Sequence, residues 1–309
     1  MSALQVRTLD PERDLDAFLA LSNQAGMSRV SREQWLEAEA RARGHRLRVS
    51  LVGEADERLV AVAGVAGDDF AQDSVSAWIT TDTAHRRRGH GTAMMAAVDE
   101  VIAEHRPAEV RTGVRDDDPE SRAWAERRGF VLFDHTFRSR LDLATFDPSP
   151  HRGAVERAEA AGLRFTQFGP DDDPDRVYEL FVRLVGDVPD QLEPPDRAYF
   201  QREVVEREGA ITVVAYDGEA PAGLAVLIPL DAVEYLNALT GVALEHRGHG
   251  LARALKVVSG EAARQAGRRH LVTNNNARNA PMLAVNDALG YRREAGFHHL
   301  RRLQPSALP

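Results

Sequence analysis

Apolar residues recur along the chain with two spacings, one typical of helices and one typical of strands. After a short predicted strand (LQVRTL), a proline opens a segment in which Leu15, Phe18 and Leu19 share one helical face. A second helical segment (SREQWLEAEARAR), two strands joined by a short charged turn and a fourth strand (SVSAWITTDT) follow. A helix (TAMMAAVDEVIAEH), a strand (AEVRTGV), another helix (DPESRAWAERRG) and closing strands complete the set. The alternation predicts the α/β class, a mixed sheet flanked by helices.

The same order of elements occurs twice, on either side of a polar segment with two prolines. This segment, residues 144–153 (ATFDPSPHRG), is the best linker candidate. The chain has 309 residues, a length that suits two ordinary domains. We therefore predict an N-terminal domain over residues 1–145 and a C-terminal domain over residues 151–309, related by duplication of a domain-sized unit.

Two nearly identical glycine-rich turns follow the fourth predicted strand of each half. They read RRGHGTAMMA at residues 87–96 and HRGHGLARAL at residues 246–255, and their shared RGHG letters pair Arg88 with Arg247. Glycine lets a backbone approach a ligand closely, and the unpaired N–H groups at the start of the next helix attract anions. Each turn is therefore predicted to bind a pyrophosphate. The alternative is a plain strand–helix turn that binds nothing.

Two common nucleotide-binding motifs do not fit these turns. Neither turn has the Gly-Lys-Ser/Thr ending of a P-loop. Met94 and Arg253 stand where a dinucleotide-binding fingerprint needs its third glycine. Both of these classes are therefore excluded.

Charge and composition narrow the function classes further. The net charge is −9, with no basic block beyond residues 86–88, which argues against a nucleic-acid partner and favours cationic or neutral ones. There is no cysteine, so disulfides and a cysteine nucleophile are excluded. Histidines such as His85, His90, His246 and His249 have no carboxylate at ligand spacing, so we predict no metal. Without an apolar run near about 18 residues or a secretory signal, we expect a cytoplasmic protein with no membrane partner.

The pattern Arg/Gln-x-x-Gly-x-Gly/Ala after a long fourth strand resembles the acetyl-CoA loop of the GNAT (GCN5-related) N-acetyltransferase superfamily. The order of elements in both halves is similar to that fold, so the resemblance covers nearly the whole chain. WAERRGF at residues 124–130 and VNDALGY at residues 285–291 resemble the family's closing helix. The second half resembles the family more fully, because TNNNARNAPM at residues 273–282 matches a Thr-x-Asn-x-x-x-Asn-x-x-Met signature of bacterial members.

The resemblance implies two tandem GNAT-like domains, each a mostly antiparallel sheet flanked by helices. It also implies acetyl-CoA as the co-substrate, with its pyrophosphate on the glycine turns and its pantetheine arm paired like an extra strand with the end of strand four. The implied contacts in the first half are Thr83, His85, Arg88, Gly89, His90, Gly91, Thr92 and Ala93. Those in the second half are Val242, Ala243, Leu244, Arg247, Gly248, His249, Gly250, Leu251, Ala252, Asn275 and Asn279.

Acetyl transfer from a thioester to an amine needs a neutral amine, a polarised carbonyl and a thiolate that can leave. Because the chain has no cysteine for an acyl-enzyme, we predict direct transfer in a ternary complex. The resemblance places the general base on strand four, where Glu234 is the candidate. The alternative is that Glu234 is a solvent-facing residue at the strand end. Asp73, the nearest carboxylate in the first half, falls in the preceding turn.

The family's usual proton donor, a tyrosine near the end of the closing helix, is missing from both halves. Ala125 and Asn286 occupy its position, which leaves Tyr291 and Tyr235 as substitutes that are near in sequence. We predict an acetyl-CoA-dependent N-acetyltransferase of a small amine, catalytic in its second half and either a monomer or a homodimer. The alternatives are a transferase for another acyl group or for a protein amine, and a non-catalytic acyl-CoA sensor or scaffold.

Overall fold

The structure, a computed structural model, describes residues 4–24, 30–42, 47–67, 73–170, 172–187 and 196–304, with only the backbone for residues 41 and 42. The strands of the first half are β1 (Gln5–Thr8), β2 (Arg48–Ala55), β3 (Arg58–Gly67), β4 (Ser74–Thr81), β5 (Glu109–Arg115) and β6 (Val131–Asp142). Its helices are α1 (Pro11–Ser22), α2 (Arg32–Ala42), α3 (His90–His105) and α4 (Pro119–Glu126).

The second half repeats the alternation and adds a helix at its start. Its strands are β7 (Leu163–Gln167), β8 (Ile211–Asp217), β9 (Ala220–Pro229), β10 (Glu234–Val242), β11 (His270–Asn276) and β12 (Arg292–Leu303). Its helices are α5 (Arg152–Ala160), α6 (Pro174–Gly186), α7 (Arg197–Phe200, continued by a π-helical turn), α8 (Leu251–Gln265) and α9 (Ala280–Ala288). This mixture confirms the predicted α/β class.

The chain forms two compact units whose limits differ from the predicted domains, residues 1–145 and 151–309. The first unit comprises Met1–Asp134 and Gly296–Pro309, and the second comprises His135–Ala295. The difference comes from strand exchange. The later part of β6 pairs with β11 in the second unit, and the later part of β12 pairs with β5 in the first. Each unit therefore takes one strand from the other half of the sequence.

Each unit has one sheet between two helical layers. The strand order is β1-β2-β3-β4-β5-β12 in the first unit and β6-β11-β10-β9-β8-β7 in the second. Pairing is antiparallel except between β4 and β5 and between β10 and β11. In the first unit one apolar core lies under α3 and α4 and another under α1 and α2. In the second unit the two cores lie under α5 and α8 and under α6 and α7.

Several helices begin at a capping side chain followed by proline, as the local sequence predicts. Asp10, Asp118, Asp173 and Asn279 cap α1, α4, α6 and α9 in this way. The cap of α4, Asp118, also contacts Arg86 of the first glycine loop. Among the described residues, no helix is long and apolar enough to cross a membrane.

Candidate active site

Both glycine-rich loops lead from a strand, through one 3-10 turn, into the N-terminus of the next helix. Each loop contains two residues with a positive φ, the conformation that favours glycine. They are Arg87 (63°) and Gly89 (87°) in the first loop and Gly248 (83°) and Gly250 (82°) in the second. Gly89 caps α3 and Gly250 caps α8, so the two loops have the same backbone path. The 3-10 turns before them are Thr83–His85 and Leu244–His246.

The matching caps correct the alignment of the two loops. They make Arg86, not Arg88, the counterpart of Arg247, and both residues have the same extended backbone. Each loop then follows the pattern Arg-x-x-Gly-x-Gly/Ala, which ends at Gly91 in the first and at Ala252 in the second. Arg86 was missed because the repeated RGHG letters were aligned in place of the pattern.

The second loop leaves its glycines open. A Cβ built on Gly248 or Gly250 would meet no atom within 4 Å. Arg247 holds the base of the loop, because its Nε donates to the carbonyl of Val242 at 2.9 Å and its Nη2 forms an ion pair with Asp187. The first amides of α8 follow directly, and such amides have no acceptor within their helix. The loop therefore presents N–H groups and bare backbone to which an anion can bind.

The other predicted residues of the second loop divide by burial. Ala243 and Leu251 are buried, and the N–H of Ala243 donates to the carbonyl of Ala222 at 2.9 Å. Leu244 is 75% exposed, and His249 is exposed as well. The accessible side of this loop is therefore its glycine backbone together with these two side chains.

The first loop is held by two acidic residues of the α4 N-terminus. Nη1 of Arg86 lies 3.4 Å from a carboxylate oxygen of Asp118, and Nη2 of Arg87 lies 2.6 Å from one of Glu120. These ion pairs offset the positive charge that would attract a phosphate.

An indole ring also covers the N-terminus of α3. A Cβ built on Gly91 would lie 3.6 Å from the ring of Trp124 and 3.8 Å from Oγ1 of Thr81. The guanidinium carbon of Arg128 lies 3.7 Å from the centroid of the same ring, and its Nη2 donates to the hydroxyl of Thr92 at 2.8 Å. These side chains lie beside Gly91, whereas a Cβ built on Gly89, the counterpart of Gly250, would meet no atom within 4 Å, as in the second loop.

In the first half, hydrogen bonds within the protein already engage some of the predicted contact residues. The N–H groups of Thr92 and Ala93 donate to the carbonyl of Gly89 at 3.0 and 3.1 Å, so they belong to the helix, and their contact with a phosphate stays a prediction. His90 is only 6% exposed, and Arg88 donates to a carbonyl of the preceding 3-10 turn at 3.2 Å. The cradle of this loop is therefore centred on residues 86–91.

In each unit the glycine loop follows one strand of a wedge between two parallel strands. β4 pairs with β5 over Ser74–Ser76, β10 pairs with β11 over Glu234–Leu236, and beyond these residues the two strands of each pair separate. In the second unit β10 also has a bulge between Asn237 and Leu239, whereas the register between β3 and β4 is regular. The separated end of β10 is an edge along which an extended ligand can pair.

Known proteins share this arrangement of strands and loops. Residues 15–130 match the family model described as Acetyltransferase (GNAT) family. This match covers less than half of the chain and shows a GNAT acetyltransferase domain within residues 15–130. The match lies in the first half, although the sequence motifs favoured the second half as the fuller match. A search of curated proteins found no match.

Solved structures share the tandem GNAT fold. A tandem GNAT protein from the clavulanic acid biosynthesis pathway, without AcCoA, is 22% identical with a TM-score of 0.73 over 99% of each chain. A GCN5-related N-acetyltransferase from Sphaerobacter thermophilus is 20% identical with a TM-score of 0.73 over 97% of this chain and 95% of that one. A glucosamine N-acetyltransferase region of a fungal β-N-acetylglucosaminidase is 15% identical with a TM-score of 0.74, over 97% of this chain and 38% of that one. These structures confirm the predicted tandem GNAT fold, and the family match over residues 15–130 supports the predicted N-acetyltransferase class.

The predicted general base lies in a network of four charges. Glu234 forms ion pairs with Arg138 at 2.8 Å and with Arg140, and its side chain is 14% exposed. The two arginines also pair with Glu294, at 3.6 and 2.6 Å. Two guanidiniums therefore already engage this carboxylate within the protein. Glu234 opens the nine-residue β10, so it lies roughly 27 Å from the loop at the other strand end. Its role as a base stays a prediction that this arrangement does not favour.

The predicted asparagine contacts to the cofactor are engaged within the protein. Asn275 is buried; its Nδ2 donates to Ser139 Oγ at 2.9 Å, and its Oδ1 accepts from Asn286 at 2.6 Å. Asn279 caps α9, its Oδ1 accepting from the N–H of Met282 at 3.3 Å. We therefore find Asn275 in a structural position, while Asn279 stands at the helix end near the wedge.

A buried lysine lies under the bulge of β10, and sequence reasoning missed it. Lys256 on α8 is 3% exposed, and its Nζ lies 3.4 Å from Oδ1 of Asn237 and 5.1 Å from the ring centroid of Tyr291. Burial lowers the pKa of Lys256 to about 7. The available signal was its helix face, which it shares with the buried small residues Ser259 and Ala263.

The two tyrosines named from the sequence have different surroundings. The hydroxyl of Tyr235 donates to the carbonyl of Gly209 at 2.5 Å, and its ring packs in the core. The hydroxyl of Tyr291 is buried with no hydrogen-bond partner in the described part of the chain, and burial raises its pKa. Tyr291 therefore stays a candidate, next to Lys256. Among the described residues, no group of three or more His, Cys, Asp or Glu side chains could hold a metal ion.

Proposed function

We propose that the protein transfers an acetyl group from acetyl-CoA to a small amine, directly within a ternary complex, and that the second unit is the catalytic one. The observation that carries the proposal is the open second loop, where Gly248 and Gly250 precede the free amides of α8 at the end of a wedge. This combination fits a pyrophosphate joined to an extended arm. Acetyl-CoA would supply a thioester whose carbonyl carbon the amine attacks.

The residues we assign to acetyl-CoA follow from the loop. Gly248 to Ala252 would meet the pyrophosphate with their backbone N–H groups, and Arg247 would hold the loop in shape through Val242. Leu244 and Asn279 would border the arm. The first loop has the same backbone path, so we expect it to bind acetyl-CoA as well. Binding there should be weaker, because Asp118 and Glu120 offset the charge of its arginines. The net charge of −9 favours a cationic acceptor.

A glycine substitution with a matched control tests the proposal. Gly250→Val puts a side chain where the phosphate would approach, and Gly267→Val puts one in open space beyond the other end of α8. Both positions have a positive φ, 82° and 77°, so both substitutions carry a similar backbone cost of about 1–2 kcal/mol. By calorimetry, Gly250→Val should weaken acetyl-CoA binding at the second site by about 100-fold or more, and Gly267→Val by less than about threefold, since a lost cradle of charge-assisted hydrogen bonds is worth several kcal/mol.

Equal effects of the two substitutions would remove the second loop from the proposal. A turnover assay with a panel of amines and acyl-CoAs then separates the remaining functions. Acetyl-CoA binding without CoA release would favour the acyl-CoA sensor, and a preference for another acyl-CoA or for a protein amine would change the substrate.

A further inference from the structure

The vertex of the wedge in the second unit is lined by hydrogen-bond donors. We use "vertex" for the point just beyond the last paired residues, Leu236 and Val272, where β10 and β11 separate. Asn237 follows directly on β10, Lys256 approaches it from α8, and the ring of Tyr291, directly before β12, lies beside the lysine. The vertex therefore brings together a lysine amine, an amide and a tyrosine ring from separate elements.

These donors outnumber the acceptors near them. Nδ2 of Asn237 and the hydroxyl of Tyr291 have no partner within the described ranges. Oδ1 of Asn237 accepts from Thr240 at 2.8 Å and is shared with Lys256 at 3.4 Å. Within the described residues Lys256 forms no ion pair with a carboxylate, and the groups that face it are Asn237 and Tyr291. Buried donors without acceptors are costly, so the vertex fits a ligand atom that is negative or strongly accepting.

At the corresponding vertex the first unit has apolar residues. Because the two loops and strands correspond, each polar residue of the vertex has a counterpart there. Lys256, Asn237 and Tyr291 correspond to Met95, Ala77 and Phe130, all members of one buried apolar cluster. The fold therefore does not require polar groups at the vertex, and their presence in the second unit needs another explanation.

We propose that Lys256 donates a proton to the sulfur of CoA as it leaves, with Asn237 and Tyr291 lining the same sulfur site. This proposal rests on the proposed acetyl transfer in the second unit. It also supplies the acid that neither Ala125 nor Asn286 can provide. An arm paired along the separated end of β10 would run from the glycine loop toward the vertex.

In the proposed step the amine nitrogen bonds to the acetyl carbon, the carbon–sulfur bond breaks, and its electron pair goes to the sulfur. Nζ of Lys256 gives that sulfur a proton and becomes neutral. The amine nitrogen loses its own proton to water, and solvent returns a proton to Lys256. The products are the amide and CoA as a thiol.

Lys256 suits this step better than Tyr291. Burial lowers the pKa of Lys256 to about 7, which is below the value of about 8.5 for an ordinary cysteine thiol, so proton transfer to a thiolate is downhill. Burial raises the pKa of Tyr291, so its hydroxyl keeps its proton and serves as a hydrogen-bond donor. Tyr291 is thus assigned a binding role in place of the acid role predicted from sequence.

The test compares CoA with desulfo-CoA, which lacks the sulfur, in the full-length protein. Calorimetry near pH 8, where Lys256 is mostly neutral, should show the second site of the wild type binding CoA about fivefold more tightly than desulfo-CoA, because the thiol can share its proton with the neutral amine. Lys256→Met, which copies the first unit, should bring this ratio close to one and leave desulfo-CoA binding within about twofold. The same variant should lower kcat by about 100-fold with the KM for acetyl-CoA nearly unchanged.

Each outcome of the test decides the proposal. A preference for CoA that persists in Lys256→Met, or a normal kcat, would overturn it. If Lys256→Met does not fold, Lys256→Gln keeps a polar end that cannot donate a proton to a thiolate, and the same loss of preference is expected. If the wild-type protein transfers acetyl groups but binds CoA and desulfo-CoA equally, this proposal alone is overturned. A wild type that binds neither ligand overturns the proposed function as well.

Discussion

The two units share a fold but differ in the side chains beside the loop and at the vertex. In the first unit, Asp118 and Glu120 pair with the loop arginines, and Trp124 lies beside Gly91. In the second unit Asp187 pairs with Arg247, and a lysine is buried at the vertex. A buried, unpaired lysine destabilises a fold. A lysine kept at this cost in only one unit supports our proposal that this unit is the catalytic one.

The family match shows why overall similarity does not locate the chemistry. It covers residues 15–130, in the unit whose vertex is apolar. A family model weighs many fold-determining positions, whereas the chemistry depends on a few side chains in one site. The first unit therefore resembles the family in pattern, and the second unit has the arrangement that we expect to act.

Separating the two units should have the largest effect. A fragment of residues 144–309 follows the predicted domain boundary but lacks β6, the neighbour of β11 in the second unit. It should be insoluble or unfolded, because an inner strand of the sheet becomes an exposed edge. A fragment of residues 135–295 keeps β6 and should give a cooperative unfolding transition by circular dichroism. The opposite result, in which residues 144–309 fold and residues 135–295 do not, would contradict the exchange of strands.

Copying the first unit's methionine into the second should raise stability. An unfolded lysine holds its proton up to a pKa of about 10.4, and Lys256 in the folded protein releases it near a pKa of about 7. The wild type is therefore most penalised below pH 7, and it gains stability as the pH rises from about 7 to about 10. Lys256→Met should add on the order of 4 kcal/mol at pH 6 to 7, and the gain should shrink as the pH rises.

Urea denaturation from pH 6 to pH 9 measures this difference. A lysine with a purely structural role would give the opposite sign, a loss of stability in Lys256→Met at every pH. A gain in stability combined with the loss of CoA preference would show that the lysine is retained for function.

The sequence predicted the elements well because each depends on its own apolar spacing. It could not predict the exchange of β6 and β12, because strand pairing joins segments far apart and either neighbour satisfies the same alternation. The burial of Lys256 could not be predicted for a similar reason. A lysine within a helix is normally solvated, and only the fold brings Asn237 and Tyr291 to it. Arg86 alone was within reach of sequence reasoning, through the Arg-x-x-Gly-x-Gly pattern.

The smallest expected effect concerns Glu234, whose counterpart in the first unit is Ser74. Glu234→Gln removes a charge between Arg138 and Arg140, so the free energy of unfolding should fall by about 1–3 kcal/mol. Because two guanidiniums already bind this carboxylate, kcat/KM should stay within about threefold. Glu294→Gln is the matched control, since it removes the other carboxylate of the same network. Steady-state kinetics showing a drop of about 10² to 10⁴ for Glu234→Gln alone, with stability unchanged, would restore Glu234 as the general base and extend the chemistry of the second unit to the opposite face of its sheet.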